Sequence, residues 1–322
     1  MQVLPQITVI IPVYNVRPYI KETLISLEQQ SLQAFEAIVV DDGSTDDTAE
    51  VVEPFCQRDS RFRLLTKLNG GLSSARNFGI LHAQTAYIAM LDGDDLYEPE
   101  KLKNHVEWLD RDPQIGVVYS ASKTIRDDGR LTPITLSGRL ILPDPLLALL
   151  CKNFIGHGSN AVFRRILVDE VGGFDETLRS YEDLDFWLRV AATGKWRFQR
   201  EGRALSRYRV RPSGLSFDIA QMQRSYEQVL QAAYKRSPER TEPYLAMANA
   251  YLYRFLARLS MTAGDAEQAR RFIDQALATD QSIFWRDPRS FLTLLAVRFS
   301  PFTRRAIGRL LKSEKPIQSK NS

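Results

Sequence analysis

The sequence has few of the residues that build redox, zinc and disulfide sites. Only two cysteines, Cys56 and Cys151, occur in 322 residues, and they form no spaced pair of the kind that binds metal or carries a redox disulfide. The three histidines, His82, His105 and His157, are scattered, so no zinc site is expected. The chain therefore shows no sign of the disulfide-stapled or zinc-binding classes.

Long apolar runs and a basic leader are also missing. No segment reaches the ~20 apolar residues that are needed to cross a bilayer. The start, MQVLPQITVIIPVYN, contains two prolines and no basic leader, so we expect a cytoplasmic protein. The composition, 44% hydrophobic and 25% charged, is that of a globular chain with room for one large domain and a smaller one.

Net charge is small and unevenly distributed. The formal charge is +4, but residues 289–322 hold eight Lys or Arg against one acid, Glu314, so this stretch carries +7 and residues 1–288 carry −3. A nucleic-acid-binding surface is therefore not expected in the main part of the chain. The basic end could lie in a membrane interface, or it could be a docked helix with a solvated basic face.

The first half of the chain alternates short apolar strands with helical patterns. Strands are predicted at ITVIIPVY, EAIVVDD, YIAM and IGVVYSAS. Helices are predicted at YIKETLISLEQQ, at DDTAEVVEPFC as far as about Pro54, at LSSARNFGILHA and at PEKLKNHVEWLD. This alternation predicts an α/β fold with a mostly parallel, Rossmann-like sheet that is flanked by helices on both faces.

The remainder of the chain is helical only. YLAMANAYLYRFLARLSMTAGDAEQARRFIDQALATD predicts a helical hairpin with a Gly-Asp turn at 264–265, similar to one tetratricopeptide unit. Because one such unit cannot bury its own faces, we expect it to pack on the main domain or on a partner. The predicted parts are a sheet domain over 1–218, a helical region with a basic amphipathic end over 219–312, and a disordered tail over 313–322.

The motif LDGDD places three carboxylates directly after the apolar run YIAM. Asp92, Asp94 and Asp95 would repel one another unless a positive group lies among them. A divalent metal or a nearby Arg or Lys would supply that charge. Asp-Gly-Asp is also ordinary turn chemistry before a helix, so the motif alone does not decide between a metal site and a turn.

Polar residues follow two other predicted strands as well. Tyr14 and Asn15 come after the first strand, and Asp41 and Asp42 come after the second. In parallel sheets that are covered by helices, ligands bind beyond the carboxyl ends of the strands. We therefore expect aromatic, amide and carboxylate groups to lie along one rim of the sheet.

Five motifs occur in order along the chain: VIIPVYN, VVDDGSTDDT, NGGLSSARN, LDGDD and YEDLDFWLR. One short motif is weak support for a family, whereas five in one order at domain-scale spacing are specific. Together they resemble the family 2 nucleotide-sugar glycosyltransferases, which have the GT-A fold. The resemblance covers residues 7–215, about two-thirds of the chain, and the helical region lies outside it.

The resemblance implies an inverting glycosyltransferase. The donor would be a nucleoside-diphosphate sugar, with a UDP-sugar as first candidate, and the acceptor a hydroxyl of a glycan, a lipid-linked glycan or a protein. Mg²⁺ or Mn²⁺ would lie between the carboxylates and the diphosphate, since both ions accept oxygen ligands. No nucleic acid is expected as a partner, whereas peripheral contact with the inner face of the cell membrane could come from the basic end.

The resemblance also assigns the donor-binding residues. Pro12, Tyr14 and Asn15 match the family's first donor-binding turn, where the base and the ribose lie. Asp42 matches a carboxylate that accepts from the base N–H, which suits uracil or thymine because a carboxylate is an acceptor only. Asp46, in the same motif, is better explained as a helix cap.

Two further motifs match the diphosphate and metal region. In NGGLSSARN, Asn69 belongs to a glycine loop that lets backbone approach a ligand, and Arg76 either contacts the diphosphate or braces the acid cluster. LDGDD matches the family's DxD-type site. Asp94 is the first candidate as metal ligand, and Asp92 and Asp95 would bind a ribose hydroxyl, metal-bound water or the ion itself.

YEDLDFWLR places Glu182 and Asp183 at the start of a predicted helix. Acids there are also stabilised by the helix dipole, so simple capping is one interpretation. Inverting transfer needs a carboxylate that takes the proton of the acceptor hydroxyl, and it needs no enzyme nucleophile. The resemblance assigns this role to Asp183, with Glu182 in support or as the alternative, and Phe186 is expected in the core.

One position departs from the family pattern. In RYRVRPSGLS the family commonly has a histidine two residues after the Tyr-Arg pair, where it helps to hold the metal or the diphosphate. This chain has Arg211 there. Arginine cannot ligate a cation, but it could contact the phosphates directly, which would lessen the reliance on metal.

Two other functional classes remain open. A sugar-nucleotidyltransferase also uses a parallel sheet, metal and a sugar nucleotide, but it tends to carry a Gly-rich basic loop where this chain has PVYNVRPY. A NAD-binding Rossmann protein is excluded by the absence of GxGxxG after the first strand. A non-catalytic sugar-nucleotide-binding module, whose helical part recruits partners, is the second open class.

Residues 125–160 carry no motif that identifies the sugar, the acceptor or the linkage. Within them, Asn153, His157 and Asn160 could contact an acceptor. Satisfied structural polar groups are the better explanation for all three.

Overall fold

The structure is a computed structural model, and it describes residues 4–136, 138–211 and 218–299. Within these residues the chain forms two compact units that divide between Glu242 and Pro243. The first unit is an α/β unit with one sheet, and the second is helical. A short 3-10 turn, Glu242–Tyr244, lies at the division.

The described part of the first unit contains nine strands in one sheet. They are β1 (Ile7–Val13), β2 (Phe35–Asp41), β3 (Phe62–Thr66), β4 (Tyr87–Met90), β5 (Leu96–Tyr97), β6 (Ile115–Ile125), β7 (Leu131–Leu136), β8 (Val162–Arg164) and β9 (Arg197–Arg209). Its described helices are α1 (Arg17–Glu28), α2 (Thr48–Arg58), α3 (Leu72–Leu81), α4 (Lys101–Arg111), α5 (Pro145–Cys151), α6 (Ile166–Val171), α7 (Glu182–Ala192), α8 (Ile219–Arg236) and α9 (Pro238–Thr241).

The strand order is β3-β2-β1-β4-β8-β6-β9-β5, with β7 paired to β6. The four strands from β3 to β4 pair in parallel, and so do β6 and β9. The pairs β4–β8, β6–β8, β5–β9 and β6–β7 are antiparallel. The predicted α/β class is therefore confirmed, with its wholly parallel part at β3-β2-β1-β4 and antiparallel strands beyond it.

Helices cover both faces of β1, as its continuous apolar sequence predicts. Every residue of the strand is buried. On one face the side chain of Ile11 packs in a cluster with Leu24 of α1 and Leu102 of α4. On the other face a Cβ at Gly79 of α3 would lie 2.4 Å from the side chain of Ile10, so only glycine allows this close approach of helix to strand.

Helix α2 is longer than the sequence pattern predicts. The prediction ended it at about Pro54, because proline removes a helical hydrogen bond. In the structure α2 continues through Pro54 to Arg58. The extra turn is stabilised by burial of Phe55, whose ring lies 6.1 Å from that of Phe62, so tertiary packing outweighs the local cost of the proline.

The first unit also extends beyond the predicted boundary at 218, because α8 belongs to it. The ring of Tyr226 in α8 lies 5.2 Å from that of Tyr181, edge to face. Its buried hydroxyl donates to the carbonyl of Leu150 in α5. Packing against the sheet-domain helices therefore includes α8 in the first unit.

The described part of the second unit consists of α10 (Leu245–Ala263), α11 (Ala266–Asp280), α12 (Ile283–Arg286) and α13 (Pro288–Arg298). Helices α10 and α11 form the predicted hairpin: Gly264 ends α10 with a φ of 86°, and Asp265 caps α11 by accepting from the N–H of Gln268. None of the described helices combines the length and apolarity that a bilayer crossing requires. The predicted basic end after 300 and the tail 313–322 lie outside the described residues.

Candidate active site

The carboxyl ends of β1, β2 and β4 meet at one edge of the sheet, which we call the rim. Val13 lies opposite Asp41 in the register of β1 and β2, and the N–H of Asp42 donates to the carbonyl of Val13 at 2.9 Å. On the other side of β1, the N–H of Leu91 donates to the carbonyl of Ile10 at 3.0 Å. The residues that follow these three strands are therefore neighbours, as predicted.

The backbone is left-handed at two non-glycine residues of the described chain, and both lie in predicted motifs. Asn15 has a φ of 52° and Tyr181 a φ of 61°. Such conformations persist only where the surroundings hold them. The Oδ1 of Asn15 accepts from the N–H groups of Thr45 at 2.8 Å and Asp46 at 3.3 Å. The resulting turn leaves the ring of Tyr14 49% exposed, in reach of a ligand.

Pro12 supports this turn from inside β1. It is buried and lies opposite Val40 of β2. The carboxylate of Asp46 accepts from the N–H of Thr48, the first residue of α2, at 3.0 Å, which agrees with a role at the helix start, although Asp47 occupies the N-cap position. Pro12 therefore lies in the strand that leads into the turn, and its predicted part in donor binding stays a prediction.

Asp42 anchors the glycine loop that follows β3. Its Oδ1 accepts from the ammonium of Lys67 at 2.7 Å and from the N–H of Gly70 at 3.0 Å, and its Oδ2 accepts from the N–H of Gly71 at 2.7 Å. The side chain of Asn69 donates to the carbonyl of Asp42 at 2.9 Å. These contacts give Asp42 and Asn69 a structural role, and their predicted contacts with a donor stay predictions.

Arg76 joins two of the acidic motifs. Its guanidinium is 1% exposed and donates to Asp92 Oδ1 at 2.7 Å and to Glu182 Oε1 at 2.5 Å. Burial acts to lower the pKa of Arg76, but Asp92 and Glu182 more than reverse this, so the guanidinium stays charged. Of the two predicted roles, the geometry favours bracing of the acid cluster.

Asp94 has a protein cation beside it. The Nε of Arg211 lies 2.7 Å from Asp94 Oδ2, and the guanidinium lies 4.9 Å from the ring centre of Tyr19. Burial raises the pKa of Asp94 to about 7, with a further contribution from Asp95 and an opposing one from Arg211. The positive group that the sequence demands near LDGDD is therefore partly supplied by Arg211.

Asp95 faces into the protein. It is 1% exposed, its Oδ1 accepts from the N–H of Arg209 at 2.8 Å, and its Oδ2 accepts from the hydroxyl of Ser159 at 2.6 Å. The ring of His157 lies 3.4 Å from the same Oδ2. Both oxygens already serve the fold, so a ligand contact would have to share or replace one of these bonds, and the predicted contact of Asp95 with a ribose hydroxyl, metal-bound water or the ion stays a prediction.

The three acids of LDGDD do not converge on one point. In the ranges that the structure describes, no three His, Cys, Asp or Glu side chains are placed to hold a metal ion together. Asp92 and Asp94 remain as the pair whose carboxylates are partly accessible, with 26% and 15% of their side chains exposed.

Glu182 and Asp183 are the first two residues of α7, and they differ in their surroundings. Glu182 is tied to Arg76. Asp183 accepts at Oδ1 from the N–H of Leu184 at 2.7 Å and at Oδ2 from the side chain of Asn153 at 3.2 Å. Burial, followed by the charge of Glu182, raises the pKa of Asp183 to about 6. A carboxylate with this pKa can act as a base at neutral pH.

The segment 153–160 makes contacts that sequence reasoning missed. Asn160 is a structural polar group, as expected, since its amide donates to the carbonyl of Ser120 at 2.7 Å. Asn153 instead contacts Asp183, and Ser159 contacts the LDGDD turn. The signal in the sequence is the run GHGSN, in which glycines alternate with small polar residues in a region without a helical pattern.

Gly158 completes these contacts by leaving space for Arg76. A Cβ at Gly158 would lie 2.3 Å from the guanidinium of Arg76 and 3.2 Å from Asp92 Oδ2. The arrangement of Arg76 and Asp92 therefore depends on the absence of a side chain at Gly158.

Trp187 and Phe186 are fully packed in the core, which agrees with the prediction for Phe186.

Two curated relatives match part of the chain. The uncharacterized glycosyltransferase EpsJ of Bacillus subtilis (strain 168) is 32% identical over 219 residues, which are 66% of this chain and 63% of that protein. Chondroitin synthase of Pasteurella multocida (strain Pm70) is 28% identical over 197 residues, which are 60% of this chain and 20% of that protein. The match thus spans less than two-thirds of either relative.

Two solved structures resemble the fold. S. aureus TarS 1–349 in complex with UDP-GlcNAc has a TM-score of 0.55 at 20% identity, covering 86% of this chain and 91% of that one. Mannosyltransferase PcManGT from Pyrobaculum calidifontis, in complex with GDP-Man and Mn²⁺, has a TM-score of 0.60 at 22% identity, covering 97% and 88%. At these identities the likeness shows the fold, and the predicted GT-A-type architecture is confirmed.

The family model described as "Glycosyl transferase family 2" matches residues 8–172, just over half of the chain. This range contains four of the five motifs, from VIIPVYN to LDGDD, and YEDLDFWLR lies shortly beyond it. The chain belongs to glycosyl transferase family 2.

Proposed function

We propose that this protein is an inverting glycosyltransferase that moves a sugar from a UDP-sugar to a hydroxyl acceptor in polysaccharide or glycoconjugate assembly. The observation that carries the proposal is the Asp183 carboxylate. It is 9% exposed, its pKa is raised to about 6, and Glu182 and Arg76 connect it to the rim. The name of chondroitin synthase among the relatives supports polysaccharide assembly as the setting.

Asp183 is the base in this proposal. The acceptor hydroxyl gives its proton to the carboxylate while its oxygen bonds to the anomeric carbon, and the bond from that carbon to the diphosphate breaks. Attack on the face opposite the leaving group turns an α-linked donor into a β-linked product. Glu182 cannot take this role as readily, because Arg76 already holds its carboxylate at 2.5 Å.

The diphosphate would bind at the rim beside Asp92, Asp94 and Arg211. Arginine suits phosphate geometry, and Arg211 could turn from Asp94 to a phosphate oxygen. Asp94 would then need another positive partner, because burial and the neighbouring Asp95 already disfavour its charge. In this proposal the exposed side chain of Tyr14 would stack on the base.

A divalent cation fits this rim. Two partly accessible carboxylates, Asp92 and Asp94, are what Mg²⁺ or Mn²⁺ usually takes from a protein when substrate phosphates and water complete the shell. When bound, the ion would neutralise the charge that develops on the departing nucleoside diphosphate.

UDP is the proposed nucleotide because of Asp42. A carboxylate offers about four acceptor positions, and three donors, from Lys67, Gly70 and Gly71, occupy it within the described chain. The N3–H of uracil could take the remaining position. Guanine also presents donors, its N1–H and its N2 amino group, but binding both would need two free acceptor positions, and Asp42 has about one left.

Nucleotide binding tests the donor. We expect thermal-shift titrations to show stabilisation by UDP and a larger effect with Mn²⁺, because a ligand that binds only the folded state raises Tm. The same titration with GDP is the comparison. Stabilisation by GDP alone would contradict the role of Asp42.

Turnover tests the base. Asp183→Asn should bind UDP as the wild type does but should lose about 10²–10⁴-fold in UDP release from a panel of UDP-sugars, the range for loss of a general base. Asp169→Asn, the same change on the exposed side of α6, is the control and should retain turnover. UDP binding without turnover in the wild type would favour the non-catalytic module, and pyrophosphate release from UTP and a sugar phosphate would favour the nucleotidyltransferase.

Peripheral membrane contact is the remaining part of the proposal, and the second unit offers a surface for it. Trp285 is 80% and Leu292 is 62% exposed, and the ring of Trp285 lies 6.1 Å from that of Phe291. Residues 283–299 include three arginines on the exposed side and one acid, Asp287, which is buried. Exposed aromatic and aliphatic side chains among arginines suit the interface of an anionic bilayer.

Vesicle sedimentation tests this surface. We expect the protein to pellet with phosphatidylglycerol vesicles and much less with phosphatidylcholine vesicles. The double variant Trp285→Ser, Leu292→Ser should pellet less, whereas Leu81→Ser, which removes an exposed leucine from α3, should not change the result. Equal pelleting of the double variant and the wild type would remove membrane contact through this surface.

A further inference from the structure

The loop after α5, residues 153–160, reaches both acidic regions of the proposed site. Asn153 donates to Asp183 at the start of α7 at 3.2 Å. Six residues later, the hydroxyl of Ser159 accepts from the backbone N–H of Asp92 at 2.9 Å. One short loop therefore touches the proposed base and the proposed donor carboxylates.

The amide of Asn153 has a defined orientation. Its Oδ1 accepts from the N–H groups of Ile155 and Gly156, both at 3.1 Å, so the oxygen end of the amide is fixed within the loop. The NH₂ end then faces Asp183 Oδ2. Because a carboxylate can only accept, this hydrogen-bond network assigns the direction of the bond.

We propose that Asn153 is a positioning residue for the proton transfer to Asp183. Its amide holds Oδ2 while the N–H of Leu184 holds Oδ1, and together they fix the plane in which the carboxylate meets the acceptor hydroxyl. The inference rests on the function proposed above. It adds a residue that lies outside the family motifs and for which the sequence suggested only an acceptor contact or a structural role.

The groups around Asp183 predict what loss of this bond would do. In the described chain, the charged side chains that act on Asp183 are Glu182 of α7 and Arg76 of α3. Burial and Glu182 favour the protonated carboxyl, whereas Arg76, the N–H of Leu184 and the amide of Asn153 favour the carboxylate. Without Asn153, the pKa of Asp183 should rise above about 6.

Asn153→Asp removes the donated bond and places a second carboxylate beside Asp183, while it can still accept from the two N–H groups of the loop. We expect kcat for UDP release from a UDP-sugar to fall about tenfold at pH 7. The acid limb of the pH profile of kcat should move up by about one pH unit. UDP affinity should stay within about twofold, since the bond acts on proton transfer and not on donor binding.

Two further variants control for folding and for added charge. Asn104→Asp makes the same change on α4, where the acceptor contact with Arg203 is retained, and its kcat and pH profile should match those of the wild type. Asn153→Ala removes the donor without adding a carboxylate. Its acid limb should move in the same direction by a smaller amount, and this holds as a test if Asn153→Asp does not fold.

The outcomes separate this inference from the proposed function. A lower kcat with an unshifted acid limb in both Asn153 variants would show a merely structural role and would overturn the inference. Unchanged kcat and pH profile would also overturn it. Wild-type protein that binds UDP but never releases it from a UDP-sugar would overturn the proposed function, and the inference with it.

Discussion

Asp94 and Asp95 are adjacent in the chain and have opposite surroundings. Asp95 is sealed from solvent, and its oxygens accept from a backbone N–H of β9 and from the hydroxyl of Ser159. Burial and the charge of Asp95 disfavour the ionised form of Asp94. Its carboxylate is paired with the guanidinium of Arg211. Asp95 therefore holds segments of the fold together, whereas the charge of Asp94 would be stabilised by a bound cation.

The same contrast separates Asp42 from Asp183. Asp42 accepts from two backbone N–H groups and a lysine, which fixes the glycine loop. Asp183 is held by one backbone N–H and one amide, and burial raises its pKa to about 6. Asp42 thus has a cation and two backbone N–H groups as donors, whereas Asp183 has one backbone N–H and one neutral amide.

The largest expected effect is on the free energy of unfolding, and it tests the contrast between Asp94 and Asp95. Asp95→Ala should lower the free energy of unfolding by about 2–4 kcal/mol, because it leaves the N–H of Arg209 and the hydroxyl of Ser159 without their acceptor. Asp94→Ala should cost less than about 1 kcal/mol at pH 8, since burial already penalises this carboxylate. Urea unfolding of both variants measures the difference. Equal losses would show that the two acids do not differ in the way we describe.

The second prediction concerns Asp183, the proposed base, whose charged form lowers the stability of the folded protein. Because the folded-state pKa of Asp183 is raised to about 6, the folded protein binds this proton more tightly than the unfolded chain, and the favourable contribution is lost as the pH rises through 6. Asp183→Asn should therefore stabilise the protein at pH 8, by the order of 2 kcal/mol, and the gain should shrink towards pH 5. Thermal unfolding across this range measures it. A gain that does not depend on pH would contradict the assignment to Asp183.

A smaller effect tests the bracing of the two regions by Arg76. Gly158→Ala would place a methyl group against the guanidinium of Arg76, so we expect about a tenfold loss of kcat/KM through misplacement of Asp92 and Glu182. Gly202→Ala is the matched control, because no atom lies within 4 Å of the added Cβ. Steady-state kinetics on both variants gives the ratio. Equal kinetics would show that the site tolerates movement of Arg76.

Much of the fold could be predicted from local pattern. The apolar stripe Ile20, Leu24, Leu27 identifies α1, and the runs that end at Asp41 and Met90 identify strands of the parallel part. These predictions succeed because period and burial are local properties of the sequence. The path of α2 through Pro54 was not predicted, since the deciding contact, between Phe55 and Phe62, is tertiary.

The motifs located the rim, but the roles of individual acids could not be predicted. Asp94 and Asp95 look alike in LDGDD, and they differ only in partners from distant parts of the chain, Arg211 for one and Ser159 and Arg209 for the other. Such contacts depend on how distant segments of the chain are brought together, and residue type carries little information about that. The contact of Asn153 with Asp183 escaped prediction for the same reason.

The most direct test is the structure of a crystal soaked with a UDP-sugar and Mn²⁺, with the anomalous signal of the ion recorded. We expect the ion within about 2.5 Å of carboxylate oxygens of Asp94 or Asp92, in contact with the diphosphate, and no ion at Asp95. The anomeric carbon should face Asp183. Diphosphate bound away from the rim, or an ion coordinated by Asp95, would contradict the division between anchoring and working carboxylates.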